Sequence, residues 1–352
     1  MDKLQSIINR IRPLDQEAMR QAQARQDNLT KPQGSLGLLE ELSVKVAGIK
    51  GVAQPRIRDK VIVTMAGDHG VAAEGVSLFP QEVTAQMVYN FLRGGAAINV
   101  LARHVGARVV VVDLGVATDL EPHPELLAKK VAYGTKNMAQ GPAMSREEAI
   151  QSIEAGIEIV ESELSRGMDI VGTGDMGIGN TTPSSAIVAA LTGAPVADVT
   201  GRGTGIDDER LAHKVRTIER ALAVNCPDPA DPLDVLAKVG GLEIGGIAGV
   251  VLGAAAHRRP VVIDGFISGA GALVAAGLAP QVKDYLIAAH VSVELGHRLV
   301  LERLGLTPLL NLSLRLGEGT GAALGISLVE AALKVLNEMT TFAAAGVSEA
   351  VE

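Results

Sequence analysis

The chain has 352 residues, 47% of them hydrophobic, and a formal net charge of −8. A chain of this length and composition can bury a large core, either as one large domain or as a large and a small one. It contains no basic run, so nucleic acid and anionic membranes are poor candidate partners and small molecules are the expected ligands. Its single cysteine, Cys226, excludes an intrachain disulfide framework and a cysteine-rich metal site.

The first five residues begin an amphipathic helix instead of a basic and apolar export signal. Alanine-rich runs elsewhere are broken by glycine or charge before they reach the length of a membrane span. The sequence therefore predicts a cytoplasmic protein that makes no membrane contact.

Helix and strand patterns follow one another along most of the chain. Residues 3–49 are predicted to be helical, with breaks at Pro13 and over 31–37. Strands are predicted at 60–66, 108–113, 168–171, 194–199, 260–264 and 285–289. Helices are predicted at 80–93, 96–104, 145–166, 184–191, 208–223, 243–256, 268–276, 293–304 and 320–342. The helix over 145–166 begins with a capping box formed by Ser145 and Glu148.

Strands that alternate with helices are typical of an α/β fold. We expect a Rossmann-like parallel sheet of about six strands with helices on both of its faces. The helical segments at the two chain ends are predicted to form a small lobe from residues 1–54 and 316–352. Residues 55–315 would then form the large catalytic domain.

The stretch 171–183 is rich in glycine and lies between a predicted strand and a predicted helix. Its glycines are Gly172, Gly174, Gly177 and Gly179. Thr181, Thr182 and Pro183 offer a helix cap and a first-turn proline, so free backbone amides and the positive helix end would converge there. Such a point binds phosphate. The structural alternative is a turn that needs glycine only for close packing of the strand and the helix.

The same stretch matches the dinucleotide fingerprint G-x-G-x-x-G through Gly172, Gly174 and Gly177, and Asp198 follows at about the distance of a ribose-binding acid. This match supports an NAD(P)-dependent oxidoreductase as an alternative function. A chain with 40 glycines gives a single match of this kind little weight.

A carboxylate stands between two glycines at Gly317-Glu318-Gly319, where an apolar run ends and a helix begins. Flanking glycines let the backbone of this segment approach a substrate closely, so Glu318 is a candidate general base. The alternative is a solvated acidic residue that the helix dipole favours in the first helical turn.

A second glycine loop, over residues 200–210, also opens a helix, and that helix carries Lys214. Loop amides and one lysine would form another wall of a phosphate site, although a solvated lysine is equally compatible with the pattern. Small residues over 240–249 favour close helix packing. Those over 264–271 would either admit a ligand or pack against the sheet.

Several histidines could carry chemistry. Asp68 and His69 follow a predicted strand and could act as acid and base or have a structural role. His290 and His297 could share one helical face, but no third ligand with metal spacing accompanies them. We predict no catalytic metal and no cofactor. The absence of a GxxxxGK[ST] loop leaves nucleoside triphosphate hydrolysis without support.

Taken together, these segments closely resemble the nicotinate-nucleotide:dimethylbenzimidazole phosphoribosyltransferase family over nearly the whole chain. The resemblance rests on several motifs in one order, at residues 31–37, 68–71, 74–77, 83–87, 177–182, 201–205 and 314–321. It implies transfer of phosphoribosyl from nicotinate mononucleotide to 5,6-dimethylbenzimidazole or a related base, without metal, in a homodimer. A noncatalytic nucleotide-binding module is a further alternative.

The resemblance also implies roles for individual residues. Glu318 matches the catalytic base, and Asp175 keeps an acid where the family is expected to have glutamate. Ser77 and Gln86 fall in the region that lines the pocket for the acceptor base. The remaining predicted substrate-binding residues are Gly174, Met176, Gly177, Gly179, Asn180, Thr181, Gly201, Gly203, Lys214, Leu316 and Gly317. Few aromatic residues are present, so the pocket is expected to be mostly aliphatic.

Overall fold

A computed structural model describes residues 2–348 and contains one six-stranded sheet. All neighbouring strands are parallel, and their order is β3-β2-β1-β4-β5-β6. This is the Rossmann order, which confirms the predicted fold class. The strands are β1 Lys60–Gly67, β2 Ala107–Gly115, β3 Leu126–Ala128, β4 Ile170–Met176, β5 Val261–Ile263 and β6 Leu286–Ala288.

Helices connect the strands and cover the sheet. They are α1 Asp2–Ile8, α2 Gln16–Asp27, α3 Leu38–Lys50, α4 Val83–Leu92, α5 Ala97–Val105, α6 Arg146–Ser165, α7 Thr181–Thr192, α8 Val196–Val199, α9 Asp208–Asn225, α10 Pro232–Val239, α11 Leu242–Ala256, α12 Phe266–Leu278, α13 Gly296–Leu304, α14 Thr320–Glu338 and α15 Phe342–Ala345. Short 3-10 helices lie at Gly70–Glu74 and Pro280–Tyr285. The capping box of Ser145 and Glu148 at the start of α6 is confirmed.

Side chains of β1 alternate between two hydrophobic clusters, one on each face of the sheet. Val61, Val63 and Met65 belong to the cluster that includes α6, α11 and α12. Ile62 and Ala66 belong to the cluster that includes α5 and α14. A central parallel strand must be apolar on both faces because helices cover both of them. The prediction of helices on both faces is confirmed.

Glycines let α6 and α11 approach each other closely. A β-carbon on Gly156 would lie 2.1 Å from the carbonyl oxygen of Gly246, and one on Gly249 would lie 2.0 Å from that of Ile153. Neither position has space for a side chain. The packing interpretation of the glycines over 240–249 is therefore confirmed.

Strand β4 extends further than its apolar residues indicate. The sequence predicts a strand over 168–171 followed by a loop, whereas Gly172 and Gly174 lie inside the strand. A β-carbon on Gly172 would lie 3.0 Å from the side chain of Ala322, and one on Gly174 would lie 2.2 Å from the carbonyl oxygen of Glu318. These glycines are required because the segment leading into α14 lies directly on β4.

The prediction of a strand over 194–199 is wrong. Val196–Val199 forms one helical turn, α8, after Pro195, and Ala197 and Asp198 are exposed. The sixth strand is instead the short edge strand β3, which has no extended apolar run and was not predicted. Helix α10 was also missed, although Asp231 caps it and Pro232 occupies its first turn.

The two chain ends meet, since α14 packs against α2 and α3. Helix α14 also contacts the strands β1, β4, β5 and β6. The division into residues 55–315 and a small lobe from both ends stays a prediction. Among the described residues, α14 alone is long and apolar enough, by length and composition, to span a bilayer, and more than half of it is buried.

The direction in which successive strands are added to the sheet reverses between β1 and β4, although all strands stay parallel. Strand β1 leads to β2 and β3 on one side, while β4 leads to β5 and β6 on the other. Open α/β sheets bind ligands at the carboxyl ends of the strands beside such a switch point. The ends of β1 and β4, Gly67 and Met176, mark that position here.

Candidate active site

A cavity of about 420 Å³ opens at this switch point. Loops after β1, β4, β5 and β6 and the segment before α14 form its walls. Most of the residues predicted to bind substrate line it, namely Ser77, Asp175, Met176, Gly177, Gly179, Asn180, Thr181, Gly203, Leu316, Gly317 and Glu318. The structure therefore brings together residues that lie far apart in the sequence.

Four predicted residues do not line this cavity. Gly174 lies inside β4 beneath the carbonyl group of Glu318. Gly201 and Lys214 are buried behind the wall formed by Thr181 and Gly203. Gln86 is exposed on α4, whose neighbouring residues Val83 and Met87 line the cavity instead. Within a single chain, nothing supports the predicted position of Gln86 beside the acceptor base.

Glu318 has a strained backbone that its neighbours fix. Its φ is 64°, and the flanking Gly317 and Gly319 have φ values of 81° and 98°. Non-glycine residues rarely adopt this left-handed conformation. The amide of Glu318 donates to the carbonyl oxygen of Asp175 at 3.2 Å, and its own carbonyl oxygen accepts from the Thr64 hydroxyl at 2.9 Å. Both bonds tie this turn to the central strands.

Glu318 lines the cavity although it is only 5% exposed. One of its carboxylate oxygens accepts a hydrogen bond from the amide of Ile98, in the first turn of α5, at 3.3 Å. Burial raises the pKa of Glu318, the bond from Ile98 opposes this rise, and the charge of Asp264 adds to it. Helix α14 begins only at Thr320. The interpretation of Glu318 as a solvated first-turn residue is wrong.

Asp175 lies at the end of β4 and is likewise buried. Its Oδ2 accepts from the side-chain amide of Asn180 at 2.9 Å. Burial raises the pKa of Asp175 well above its ordinary value, and the charge of Asp264 raises it further. Gly317 covers this carboxyl group, since a β-carbon there would lie 3.1 Å from both oxygens. Two neighbouring acids with raised proton affinity therefore share one wall of the cavity.

The two predicted phosphate loops meet at Lys214. Its Nζ donates to the hydroxyl of Thr181 at 2.6 Å and to the carbonyl oxygen of Gly201 at 3.3 Å. Lys214 is fully buried, and burial lowers its pKa to about 8, with Glu294 opposing the change. The alternative of a solvated lysine is wrong. Lys214 faces the cavity through Thr181 and does not line it directly.

The first turn of α7 completes this wall. Its N-cap residue, Asn180, makes no side-chain cap bond, and its side-chain amide donates to Asp175. Beside it, the amide of Gly203 donates to Glu294 at 2.9 Å, and its carbonyl oxygen accepts from Arg315 at 3.1 Å. The N-terminus of α7 and Arg315 at one cavity wall favour an anionic ligand, while the amide of Gly203 is already bonded to Glu294.

Apolar side chains also line the cavity. They belong to Val76, Phe79, Val83, Met87, Ile178, Phe266, Ile267 and Leu316. Two of the four phenylalanines of the chain are among them, and the rest are aliphatic or sulfur-containing. A flat, mostly apolar ring system suits such a surface.

Sequence reasoning missed several polar residues of the site, namely Asp264, His290, Ser292, Glu294 and Arg315. Asp264 directly follows β5, and His290 follows β6 by two residues. Parallel strands place ligand-binding residues at their carboxyl ends, so the position of each residue at the end of a predicted strand is the signal that could have found it.

His69 lies behind Gly177, away from the cavity surface. Its Nε2 lies 2.8 Å from Glu243 Oε1, and both side chains are buried. Burial lowers the pKa of His69, but Glu243 more than offsets this, and the net shift is upward. A β-carbon on Gly177 would lie 3.0 Å from that imidazole nitrogen. The arrangement supports the structural interpretation of His69.

His290 and His297 do not share a helix, since His290 follows β6 and His297 lies in α13. Their ring centroids are 6.0 Å apart. Among residues 2–348, no group of three or more His, Cys, Asp or Glu side chains has the arrangement of a metal site.

The dinucleotide fingerprint does not form a phosphate loop. Gly172 and Gly174 are strand residues, and Asp198 is exposed in α8 instead of at the end of a strand. The structural context that gives the fingerprint its meaning is missing. The oxidoreductase alternative is therefore wrong on geometric grounds.

Residues 11–347 match a family described as phosphoribosyltransferase. Nicotinate-nucleotide–dimethylbenzimidazole phosphoribosyltransferases from Desulforudis audaxviator and Chloroflexus aggregans are 65% and 64% identical to this chain, with at least 99% of both chains covered. The crystal structure of CobT from Thermus thermophilus has a TM-score of 0.92 at 50% identity, covering 95% of this chain and 100% of that chain. The chain belongs to the family of nicotinate-nucleotide–dimethylbenzimidazole phosphoribosyltransferases.

Proposed function

We propose that the protein transfers phosphoribosyl from nicotinate mononucleotide to 5,6-dimethylbenzimidazole or a related base, giving α-ribazole 5′-phosphate and nicotinate. The observation that carries this proposal is the buried carboxyl group of Glu318 in a cavity that is lined by both polar and apolar residues. The names of the relatives agree with this reaction.

In the proposed reaction, Glu318 takes the N–H proton of the azole. The other ring nitrogen then attacks the anomeric carbon of the mononucleotide, and the bond from that carbon to the pyridinium nitrogen breaks. The pyridinium nitrogen keeps the electron pair, so nicotinate leaves with an uncharged pyridine ring and needs no acid. Attack from the opposite face inverts the β-nucleotide to the α-product. The raised pKa of Glu318 makes it a stronger base than an exposed carboxylate.

We assign the mononucleotide phosphate to the wall formed by Gly177, Thr181, Gly203 and Arg315. Buried Lys214 would contribute its charge from behind Thr181. Asp175, whose pKa burial and the charge of Asp264 raise well above its ordinary value, would hold Asn180 in place through its hydrogen bond instead of acting as a second base. Most of the remaining rate enhancement would come from holding the two substrates in line.

The acceptor base is assigned to the apolar part of the cavity lining, beside Ser77, Val83 and Met87. Met87→Ala is expected to raise the Michaelis constant for benzimidazoles about 10-fold, the loss of roughly 1–2 kcal/mol of apolar contact, while the constant for the mononucleotide changes little. Gln86→Ala, one position away but exposed, serves as the matched control. If Gln86→Ala raises the Michaelis constant for benzimidazoles more than Met87→Ala does, Gln86 belongs to the base pocket.

We further propose a cytoplasmic homodimer, as the family resemblance implies. Exposed apolar side chains at and near the cavity, among them Leu78, Phe79 and Leu316, support a second copy of the chain as their cover. Sedimentation of the purified protein at micromolar concentration should give twice the chain mass. Monomeric protein with full activity would rule this out.

One assay tests the reaction itself. Purified protein, nicotinate mononucleotide and 5,6-dimethylbenzimidazole are incubated, and the products are separated by chromatography. Release of nicotinate together with one equivalent of α-ribazole 5′-phosphate is the expected result. Binding of the mononucleotide without release of nicotinate would instead indicate a noncatalytic nucleotide-binding module.

A further inference from the structure

Asp264 and His290 form a buried pair that the proposed chemistry does not use. Asp264 follows β5, and His290, which follows β6, lines the cavity. His290 Nε2 lies 3.7 Å from Asp264 Oδ1, and both residues are almost completely buried. A β-carbon on Gly321 would lie 2.1 Å from the His290 ring and 2.7 Å from Asp264 Oδ1. The start of α14 therefore packs directly on this pair.

The position of Asp264 connects it with Glu318. Its two oxygens accept hydrogen bonds from the amides of Gly319 and Ala322, both at 3.1 Å. These amides belong to the turn that begins immediately after Glu318. The negative charge of Asp264 raises the pKa of both Glu318 and Asp175. A change in the net charge of Asp264 and its partner therefore changes the pKa values of Glu318 and Asp175.

Other titratable groups around this wall make hydrogen bonds of their own, while Glu294 Oε2 and His297 Nε2 have no partner among the described residues. His297 accepts a hydrogen bond on Nδ1 from the amide of Ser292 at 2.9 Å, and burial, together with the charge of His290, lowers its pKa to about 3. Glu294 binds the amide of Gly203. Lys214 binds Thr181 and Gly201. Within residues 2–348, the ion pair recorded for Asp264 is the one with His290.

We propose that His290 is a positioning residue whose positive charge compensates Asp264, so that a neutral pair instead of a lone carboxylate lies beside Glu318. Burial alone would lower the pKa of His290, but Asp264 reverses the direction and raises it. The pair would keep Glu318 ionised, and hence basic, at a lower pH than Asp264 alone would permit. This inference rests on the proposed role of Glu318 as the base.

The first test does not depend on catalysis. The ring signals of the seven histidines are followed by NMR during a pH titration of the whole protein, and His290→Gln identifies the His290 signal. In the parent, His290 should titrate above an ordinary histidine, and in Asp264→Asn its midpoint should fall by at least about one pH unit. An equal midpoint in both proteins would overturn the pairing, whatever the reaction proves to be.

The second test uses the pH dependence of kcat/KM. Activity is expected to fall at low pH as Glu318 becomes protonated, and this fall is the acid limb of the profile. His290→Gln removes the positive charge that compensates Asp264, so the acid limb should move to higher pH by about one unit. Asp264→Asn should move it downward, and the double variant should behave like Asp264→Asn. A merely structural role would lower activity at every pH without moving the limb.

His123 is exposed, so His123→Gln is the matched control and should leave the acid limb at the same pH. Asp264→Asn loses an acceptor for one backbone amide and could fail to fold. In that case His290→Gln and His290→Asn decide the question by themselves. An unmoved limb in both, with the fold intact by circular dichroism, would refute the proposal.

Discussion

Glu318→Gln is expected to lower the turnover number by roughly 10²–10⁴-fold, the usual contribution of a positioned general base. Glutamine keeps the length of the side chain and can still accept the hydrogen bond from the amide of Ile98. The backbone turn at φ 64° and its bonds to Asp175 and Thr64 also remain possible. The variant therefore removes basicity and little else, and the Michaelis constant for the mononucleotide should change little.

The pH dependence of the same variant gives an independent check. If Glu318 must be ionised to accept the azole proton, activity is lost as pH falls through its pKa, which burial has raised above the ordinary value. This acid limb should be present in the parent and absent in Glu318→Gln. Glu147→Gln, an exposed carboxyl group in the first turn of α6, is the control. Turnover within a few-fold of the parent, with the same limb, would transfer the role to Asp175.

Lys214→Ala is expected to raise the Michaelis constant for nicotinate mononucleotide by roughly 30- to 150-fold, corresponding to about 2–3 kcal/mol for a lost charged hydrogen bond. The lysine holds the Thr181 hydroxyl and the Gly201 carbonyl together, so both loops of the phosphate wall lose their common support. Lys214→Met fills the same buried space without the charge and separates the electrostatic effect from the cavity. If the Michaelis constant for the mononucleotide is unchanged in both variants, Lys214 does not take part in binding the mononucleotide.

The lowered pKa of Lys214 adds a pH dependence to binding. In the free protein, Lys214 loses its proton as pH rises through about 8. A bound phosphate favours the charged lysine, so binding should take up a proton and weaken as pH rises through this value. Titration calorimetry in two buffers of different ionisation enthalpy measures the proton uptake. Lys214→Met should bind the mononucleotide more weakly and without proton uptake.

The sequence alone determined the class of fold and the family. Apolar runs identify β1 and β2, because a central parallel strand has to be apolar on both faces. The glycines on either side of Glu318 mark a turn that ordinary residues rarely adopt, and that turn is present. The order of several motifs also indicated the family to which the chain belongs.

Only the tertiary structure decided which residues face the cavity. Sequence spacing places Gln86 and Met87 side by side, but the rotation of α4 exposes one and directs the other inward. Glycines over 172–174 were assigned to a loop, because nothing local shows that the turn at Glu318 presses on β4.

Burial likewise depends on contacts between distant segments. Lys214 has the sequence context of a solvated helical lysine, and its burial comes from the loops that close over it. Asp264 and His290 are separated along the chain by a whole helix, and they meet because β5 and β6 are parallel neighbours whose carboxyl ends lie at one edge of the sheet. The sequence marks both residues as ends of strands, but the strand order that makes β5 and β6 neighbours is a property of the whole sheet, so only the tertiary structure shows that the two residues form a pair.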